Sequence, residues 1–395
     1  MHLFKLSNEV QNYSWGSKTS LRDLFGVPNP QLYHQAELWM GAHPNGCSKV
    51  YHSGELLSDI IACNPEEVLG EQTFRTFGEL PFLFKVLAAE APLSIQVHPK
   101  KEMSELGFVR ENNLGLSLND PKRNYKDSNH KPELVYAVSP YKAMNGFRPI
   151  STIVSLFNEL PVNCLTKYVQ RLAANPIEAQ LKEFFSSVIT LSGATKELAL
   201  KQLLLATKQE HLSPLALEVI DYIEQFNSFY PNDIGLFAPL MLNTIELQPG
   251  EAMFLYAETP HAYVSGTAME IMANSDNVLR AGLTPKHIDV DELIKNTSFQ
   301  PIKPQELRML PNIKGRKLVY PVPVEDFSFD IIHVDQALES QILKSAEVLF
   351  CLEGEVTIQS NEEHISLAKG ESIFISCGAK EYRYEGCGVL ARAYN

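Results

Sequence analysis

IELQPGEAMFLYAETPHAYVSG, residues 245–266, has a second copy 120 residues further on: ISLAKGESIFISCGAKEYRYEG, residues 365–386. Ile245, Leu247, Gly250, Glu251, Phe254 and Gly266 match Ile365, Leu367, Gly370, Glu371, Phe374 and Gly386. Each copy reads as a strand, a turn at PG or KG, a second strand and a return strand, the pattern of a jelly-roll unit. The pair predicts a duplicated β-sandwich module. The copies part at one position that could carry chemistry. His261 falls opposite Glu381, and nothing near Glu381 resembles a ligand set. A metal at His261 would leave the second copy a structural module.

Outward from this repeat the chain shows three textures. Up to about residue 150 it alternates in short apolar runs, as in LPFLFKVLA (80–88), LSIQVH (93–98) and ELVYAV (133–138). From 151 to 231, STIVSLFNEL, PIEAQLKEFFSSVITL, KELALKQLLLATKQ and SPLALEVIDYIEQF repeat apolar residues every three or four positions. Ser151, Pro176 and Ser213-Pro214 stand where helix starts are expected. After FYPNDIG (229–235) strand patterns return and last to the end. The fold class expected is mainly β with an α-helical insertion: a jelly-roll catalytic domain in two parts, 1–150 and 232–305, interrupted by a helical insertion, 151–231, and followed by a degenerate jelly-roll module, 306–395.

Bulk properties bound the function. A chain of 395 residues exceeds one compact core. Its net charge of −13 argues against nucleic acid or an anionic membrane as partner, and requires any anionic substrate to find a local basic pocket. No apolar run reaches the length of a membrane span, and the N-terminus lacks a signal-peptide pattern. The six cysteines are scattered with no CxxC pair, as expected of free thiols in a cytoplasmic protein.

Alternation then selects the polar residues. In LSIQVHPKK (93–101), Leu93, Ile95 and Val97 share one strand face, and Ser94, Gln96 and His98 the other. In NYKDSNHKPELVYAV (124–138), Pro132 extends the chain so that Lys131 and Glu133 point one way and Leu134 and Tyr136 the other. His261 follows a turn in ETPHAYV, and Glu270, Met272 and Asn274 alternate onto one face of MEIMAN. Two histidines, a glutamate and a glutamine form a plausible metal set: Gln96, His98, Glu133 and His261. Imidazole and carboxylate suit zinc and its neighbours. With only Glu133 anionic, a divalent ion would keep a net charge of +1 and stay electrophilic.

NYKDSNHKPE and HAYVSGTAMEIMANSDNVLRAGLTPKH, together with LSIQVHP, NYSWGS (12–17) and AELWMGAHP (36–44), closely resemble the signatures of the type I phosphomannose isomerase family. The resemblance covers nearly the whole chain. It implies a cupin-like catalytic jelly roll, one zinc ion per chain, and interconversion of the sugar phosphates mannose 6-phosphate and fructose 6-phosphate. Carried over, Gln96, His98, Glu133 and His261 become the ligands. Arg280 falls at the family's catalytic arginine, with Lys131 and Glu270 as further catalytic residues. Trp15, Lys85, Ser94, His130, Asp276 and Lys286 are expected to bind substrate, and a monomer is the expected state.

Such a reaction moves a proton between C1 and C2 through a cis-enediol. It needs an electrophile, an acid/base, and cations for the phosphate. Lys131, His130, Glu270 and Lys85 are all candidates for the base, and Arg280, Lys286 or Lys100 for the phosphate. Lys100 and Lys101 read as a solvated pair, and Trp39 as core packing. Two other readings compete. A jelly roll with two histidines and a carboxylate also suits a non-haem iron oxygenase, against which Gln96 argues by filling a position oxygen would need. A non-catalytic sugar-phosphate sensor would have no use for an intact Arg280. No glycine-rich loop supports an attached nucleotidyltransferase.

Overall fold

The computed structural model describes residues 2–395. Its strands form two ten-stranded antiparallel assemblies, one for each copy of the repeat. The repeat survives as geometry. Strands Ala252–Leu255 and His261–Ala273 of the first copy correspond to Ser372–Ile375 and Glu381–Tyr394 of the second. Gly266 and Gly386 both take left-handed backbone angles, with φ of +113° and +132°. A Cβ on Gly266 would sit 2.3 Å from the Pro140 carbonyl oxygen, and one on Gly386 would sit 2.5 Å from that of Glu355. Only glycine permits so close an approach at that conformation.

Gly266 marks the corner of the catalytic roll. Before it, His261 pairs with Gln96 and with Asn145, and Tyr263 with Ala143. From it onward, Gly266–Ala273 pairs with Phe82–Ala89, and Ala268–Met272 also pairs with Glu133–Ala137. One bent strand thus carries His261 against the Gln96 strand and Glu270 against the Lys85 strand. The remaining strands close around it: Glu37–Met40 beside Phe82–Ala89, and Leu279–Gly282 beside Ile95–Val97.

The helical insertion packs where the alternation of LSIQVH sends its apolar face. Helices Ile150–Glu159, Thr166–Ala174, Glu178–Ile189, Gly193–Ala206 and Pro214–Phe229 follow one another. Ser213 caps the last, its Oγ accepting the Ala216 N–H with Pro214 at the first helical position. Ser151 is not a cap, because the first helix already begins at Ile150 behind Pro149. The helices' apolar stripes share one core with Ile95, Val97, Ala262, Val264 and Leu279. Burying Ile95 and Val97 there stabilises by about 2 kcal/mol each, and it leaves Gln96 and His98 to face the opposite side.

A second core joins the two rolls through Phe82, Phe84, Phe327, Phe329, Phe350 and Phe374. Leu3–Ser7 departs from the sequence division: it pairs with Ser372–Ile375, so the N-terminal strand belongs to the second roll's sheet. The local pattern of a five-residue strand carries no information about so distant a partner. Among the described residues no helix is long and apolar enough to cross a membrane.

Candidate metal centre and active site

Two imidazoles and one carboxylate converge inside the catalytic roll. One ligand atom each from His98, Glu133 and His261 lies within 4.8 Å of the others, and all three residues are buried. The outer nitrogens of the rings are spoken for. His98 Nδ1 donates to the Asn277 carbonyl at 2.7 Å, and His261 Nδ1 to the Thr259 carbonyl at 2.9 Å. These bonds fix the tautomers and turn both Nε2 lone pairs inward, as metal-binding histidines require. His98 Nε2 lies 3.3 Å from Glu133 Oε1 and His261 Nε2 lies 3.5 Å from Glu133 Oε2.

The electrostatics favour a cation. Burial pushes the His98 imidazole down to about 4, and the Lys131 ammonium adds to the effect, so the ring is neutral near pH 7. Burial alone would raise the Glu133 carboxyl, but Lys131 and the histidines hold it well below the ordinary range. His98 Nε2 is buried and has no hydrogen-bond partner, an expensive orphan that a metal would satisfy. Gln96, in register with both His261 and Arg280, lies beside the set and opens on the same cavity. Nitrogen and carboxylate donors around a buried, unsatisfied lone pair fit a zinc-type ion.

A cavity of about 550 Å³ leads from Gln96 to the surface. Its wall includes Trp15, Lys85, Ser94, Lys131, Asp276, Arg280 and Lys286. Glu270 lies deeper, in a recess shared with Glu133 and His261. A cross-strand row explains this depth: Lys85 is in register with Trp39 on one side and Glu270 on the other. Lys85 Nζ lies 2.8 Å from Glu270 Oε2 and 3.7 Å from Glu37 Oε1. Burial opposes the Lys85 charge, yet Glu270 and Glu37 outweigh it and hold the group protonated. Burial raises the Glu270 carboxyl, against the pull of Lys85.

One expected substrate contact is elsewhere. His130 does not line the cavity. Its Nε2 lies 2.9 Å from Asp326, on the second roll. His130 precedes the strand, which begins at Glu133, and its side chain turns to the junction with the second roll. Lys100 is half exposed beside Glu258 and also lies off the cavity wall.

Other residues went unnoticed in the sequence. Tyr263 donates its hydroxyl to Glu133 Oε2 at 2.6 Å. Trp39, read as packing, donates its indole N–H to Glu37 Oε2 at 2.6 Å and lines the cavity with it. Alternation in ELWM, applied as in LSIQVH, puts Glu37 and Trp39 on one face. Lys126 and Tyr13 also line the wall, Tyr13 stacked on Trp15 with ring centroids 5.7 Å apart.

Known proteins match this architecture throughout. The model of the phosphomannose isomerase type I catalytic domain matches residues 3–150, that of the type I helical insertion domain 163–242, and that of the mannose-6-phosphate isomerase cupin domain 316–395. Mannose-6-phosphate isomerase of Salmonella typhimurium is 48% identical over 99% of both chains. The chain belongs to the type I phosphomannose isomerase family. The human mannose-6-phosphate isomerase is 36% identical, covering 96% of this chain and 94% of its own. Among solved structures, a mutant phosphomannose isomerase from Salmonella typhimurium superposes with a TM-score of 0.95 at 47% identity over both whole chains. A holo, zinc-bound mannose 6-phosphate isomerase does so with a TM-score of 0.94 at 47% identity, again over both whole chains. Within the family, therefore, this chain retains the full architecture of catalytic roll, helical insertion and second roll.

Proposed function

We infer that this chain interconverts mannose 6-phosphate and fructose 6-phosphate, with zinc held by Gln96, His98, Glu133 and His261. One observation carries the reading: the inward Nε2 atoms of His98 and His261 meet Glu133 beside a recess that shares Gln96 and Lys131 with a cavity whose wall carries Arg280 and, further out, the exposed Lys286. That spacing of an electrophile site from a cationic mouth suits a sugar with a reactive carbonyl at one end and a phosphate at the other. Its zinc-bound relative supports the choice of metal.

When bound, zinc supplies Lewis acidity to the substrate oxygens at C1 and C2. The chain's own residues do the rest. Arg280 lies across from Gln96 in register. Its guanidinium donates to the developing enediolate oxygen and stays charged while doing so. Lys131 opens onto both the main cavity and the inner recess, and in its unprotonated form it takes the proton from one of C1 and C2 and returns it to the other. Glu270 holds Lys85 and fixes the row that walls the recess. Lys85, kept protonated between two carboxylates, is a donor to sugar hydroxyls and not a base. Ser94, Trp15 and Asp276 shape the sugar site, and Lys286 takes the phosphate. The reading includes a cytoplasmic monomer without nucleic-acid partners, supported by the net charge of −13 and the free cysteines.

The test is a coupled assay for fructose 6-phosphate made from mannose 6-phosphate, before and after chelation and after zinc is restored. Activity that disappears and returns supports the reading. Activity that persists with metal shown absent overturns the metal role, and no activity under any metal overturns the reaction.

A further inference from the structure

Lys126 sits in NYKDSNHKPE between residues whose jobs are structural. Tyr125 is fully buried and donates its hydroxyl to Glu292 at 2.6 Å. Asp127 accepts from the Ser275 hydroxyl at 2.8 Å and from the Asp276 N–H at 2.7 Å, so its charge is spent on the adjoining loop. The Lys126 N–H donates to Asn277 Oδ1 at 2.7 Å. Asn277 is the residue whose carbonyl accepts from His98 Nδ1. The Lys126 backbone is thereby pinned to the same loop that orients a metal ligand, while its side chain is exposed and lines the mouth of the cavity.

Building on the isomerase reading, we propose that Lys126 is a second cation of the phosphate end of this cavity and positions the phosphate together with Lys286. Arg280, Lys286 and Lys126 line one cavity, and among the described residues none of them is within ion-pair distance of a carboxylate. The acids on the cavity wall are engaged elsewhere. Glu37 accepts from Trp39 and faces Lys85, and Asp276 accepts from Asn45 at 3.1 Å with His43 at 3.7 Å. Three cations gathered without counter-ions, in a chain whose net charge is −13, make a local field for an anion. Burial lowers the Lys286 ammonium, and the charges of Arg280 and Lys126 lower it further. The neighbouring lysines differ. Lys100 lies beside Glu258, and Lys101 is bonded to Asn129, off the cavity wall.

The experiment compares the zinc-loaded wild type with Lys126→Gln and Lys126→Arg, by steady-state kinetics on mannose 6-phosphate and by calorimetric binding of inorganic phosphate. Lys126→Gln should raise KM about tenfold and weaken phosphate binding by a similar factor, the loss of one charged contact at a wet site, with kcat within about twofold. Lys126→Arg should restore both. A merely structural role would instead lower kcat and the melting temperature together, because the same segment leads into Lys131 and Glu133. Unchanged KM and phosphate affinity, a loss confined to kcat, or no rescue by arginine overturns the proposal. Should the wild type not isomerise the sugar, the reaction assigned above falls, and the phosphate calorimetry still decides the role of Lys126.

Discussion

Lys131 Nζ lies 2.9 Å from Glu133 Oε1, so the carboxylate that faces both histidines also neutralises a buried ammonium. Glu133 is therefore two things at once, the only anionic donor of the proposed metal set and the counter-charge of the proposed proton carrier. Glu133→Gln removes both. It should leave far less than one zinc per chain and lower kcat at least about 100-fold, the upper end of what even an outer-shell partner costs. Metal analysis of the folded variant checks this, with circular dichroism as the control for folding. Near-normal zinc and rate would take Glu133 out of the site.

Tyr263 offers a gentler perturbation of the same carboxylate. Its hydroxyl donates to Glu133 Oε2 at 2.6 Å, and the residue lines the inner recess. Tyr263→Phe keeps the ring against Tyr141, at 5.7 Å between centroids, and removes only the donor. Zinc affinity should fall about 10- to 100-fold, measured by competition with a chromophoric chelator. An unchanged affinity would show that the Tyr263 hydroxyl does not orient Glu133.

His130 separates position in sequence from position in the site. It adjoins Lys131, yet it binds Asp326 across the junction of the two rolls. His130→Gln should leave kcat and KM near wild type and lower unfolding free energy by about 1 kcal/mol, the scale of one partly exposed hydrogen bond. Chemical denaturation reads the loss, and a large drop in kcat without loss of stability would return His130 to the active site.

These residues show why parts of the site were legible and others were not. Period-two alternation fixes which side of a strand a residue faces, and it selected Gln96, His98, Lys131 and Glu133 before any register was known. It says nothing about which strand lies alongside. The partners that orient these side chains come from that missing information: Asn277 for His98, Tyr263 for Glu133, and Glu37 and Glu270 for Lys85. The repeat was legible because Gly250, Gly266, Gly370 and Gly386 are demanded locally by left-handed backbone angles. The pairing of Leu3–Ser7 with the far end of the chain was not, since no local pattern specifies it.

Cys351 carries a pH signature. Burial pushes its thiol up to about 11, well above the ordinary value of about 8.5. The folded chain therefore binds more protons at this group than the unfolded chain between those values. The stability it contributes is complete below the ordinary thiol pKa and is lost as pH rises towards 11. Alkylation near pH 8.5 followed by peptide mass analysis should label exposed Cys63 and Cys387 first and Cys351 last. Early labelling of Cys351 in the folded protein would contradict its burial.

In the second roll the matching strand carries an ion-pair cluster. With the 120-residue offset of the repeat, Arg392 stands where the first roll has Met272 on its cavity wall. Arg392 is buried, and it donates to Glu347 through Nε and Nη2 at 2.7 and 2.8 Å and to Asp330 through Nη1 at 2.7 Å. Its guanidinium lies 3.8 Å from the centre of the Tyr394 ring, and Tyr382 donates its hydroxyl to Glu347. Arg392→Met strands two carboxylates and should destabilise by about 3–5 kcal/mol. Replacing the whole cluster, Arg392→Met with Glu347→Leu and Asp330→Leu, removes the stranded charges and should recover most of that loss. Denaturant titration of the two variants decides. If the triple variant is less stable than the single one, the cluster contributes more than mutual neutralisation, and the second roll depends on its ion pairs for more than filling its interior.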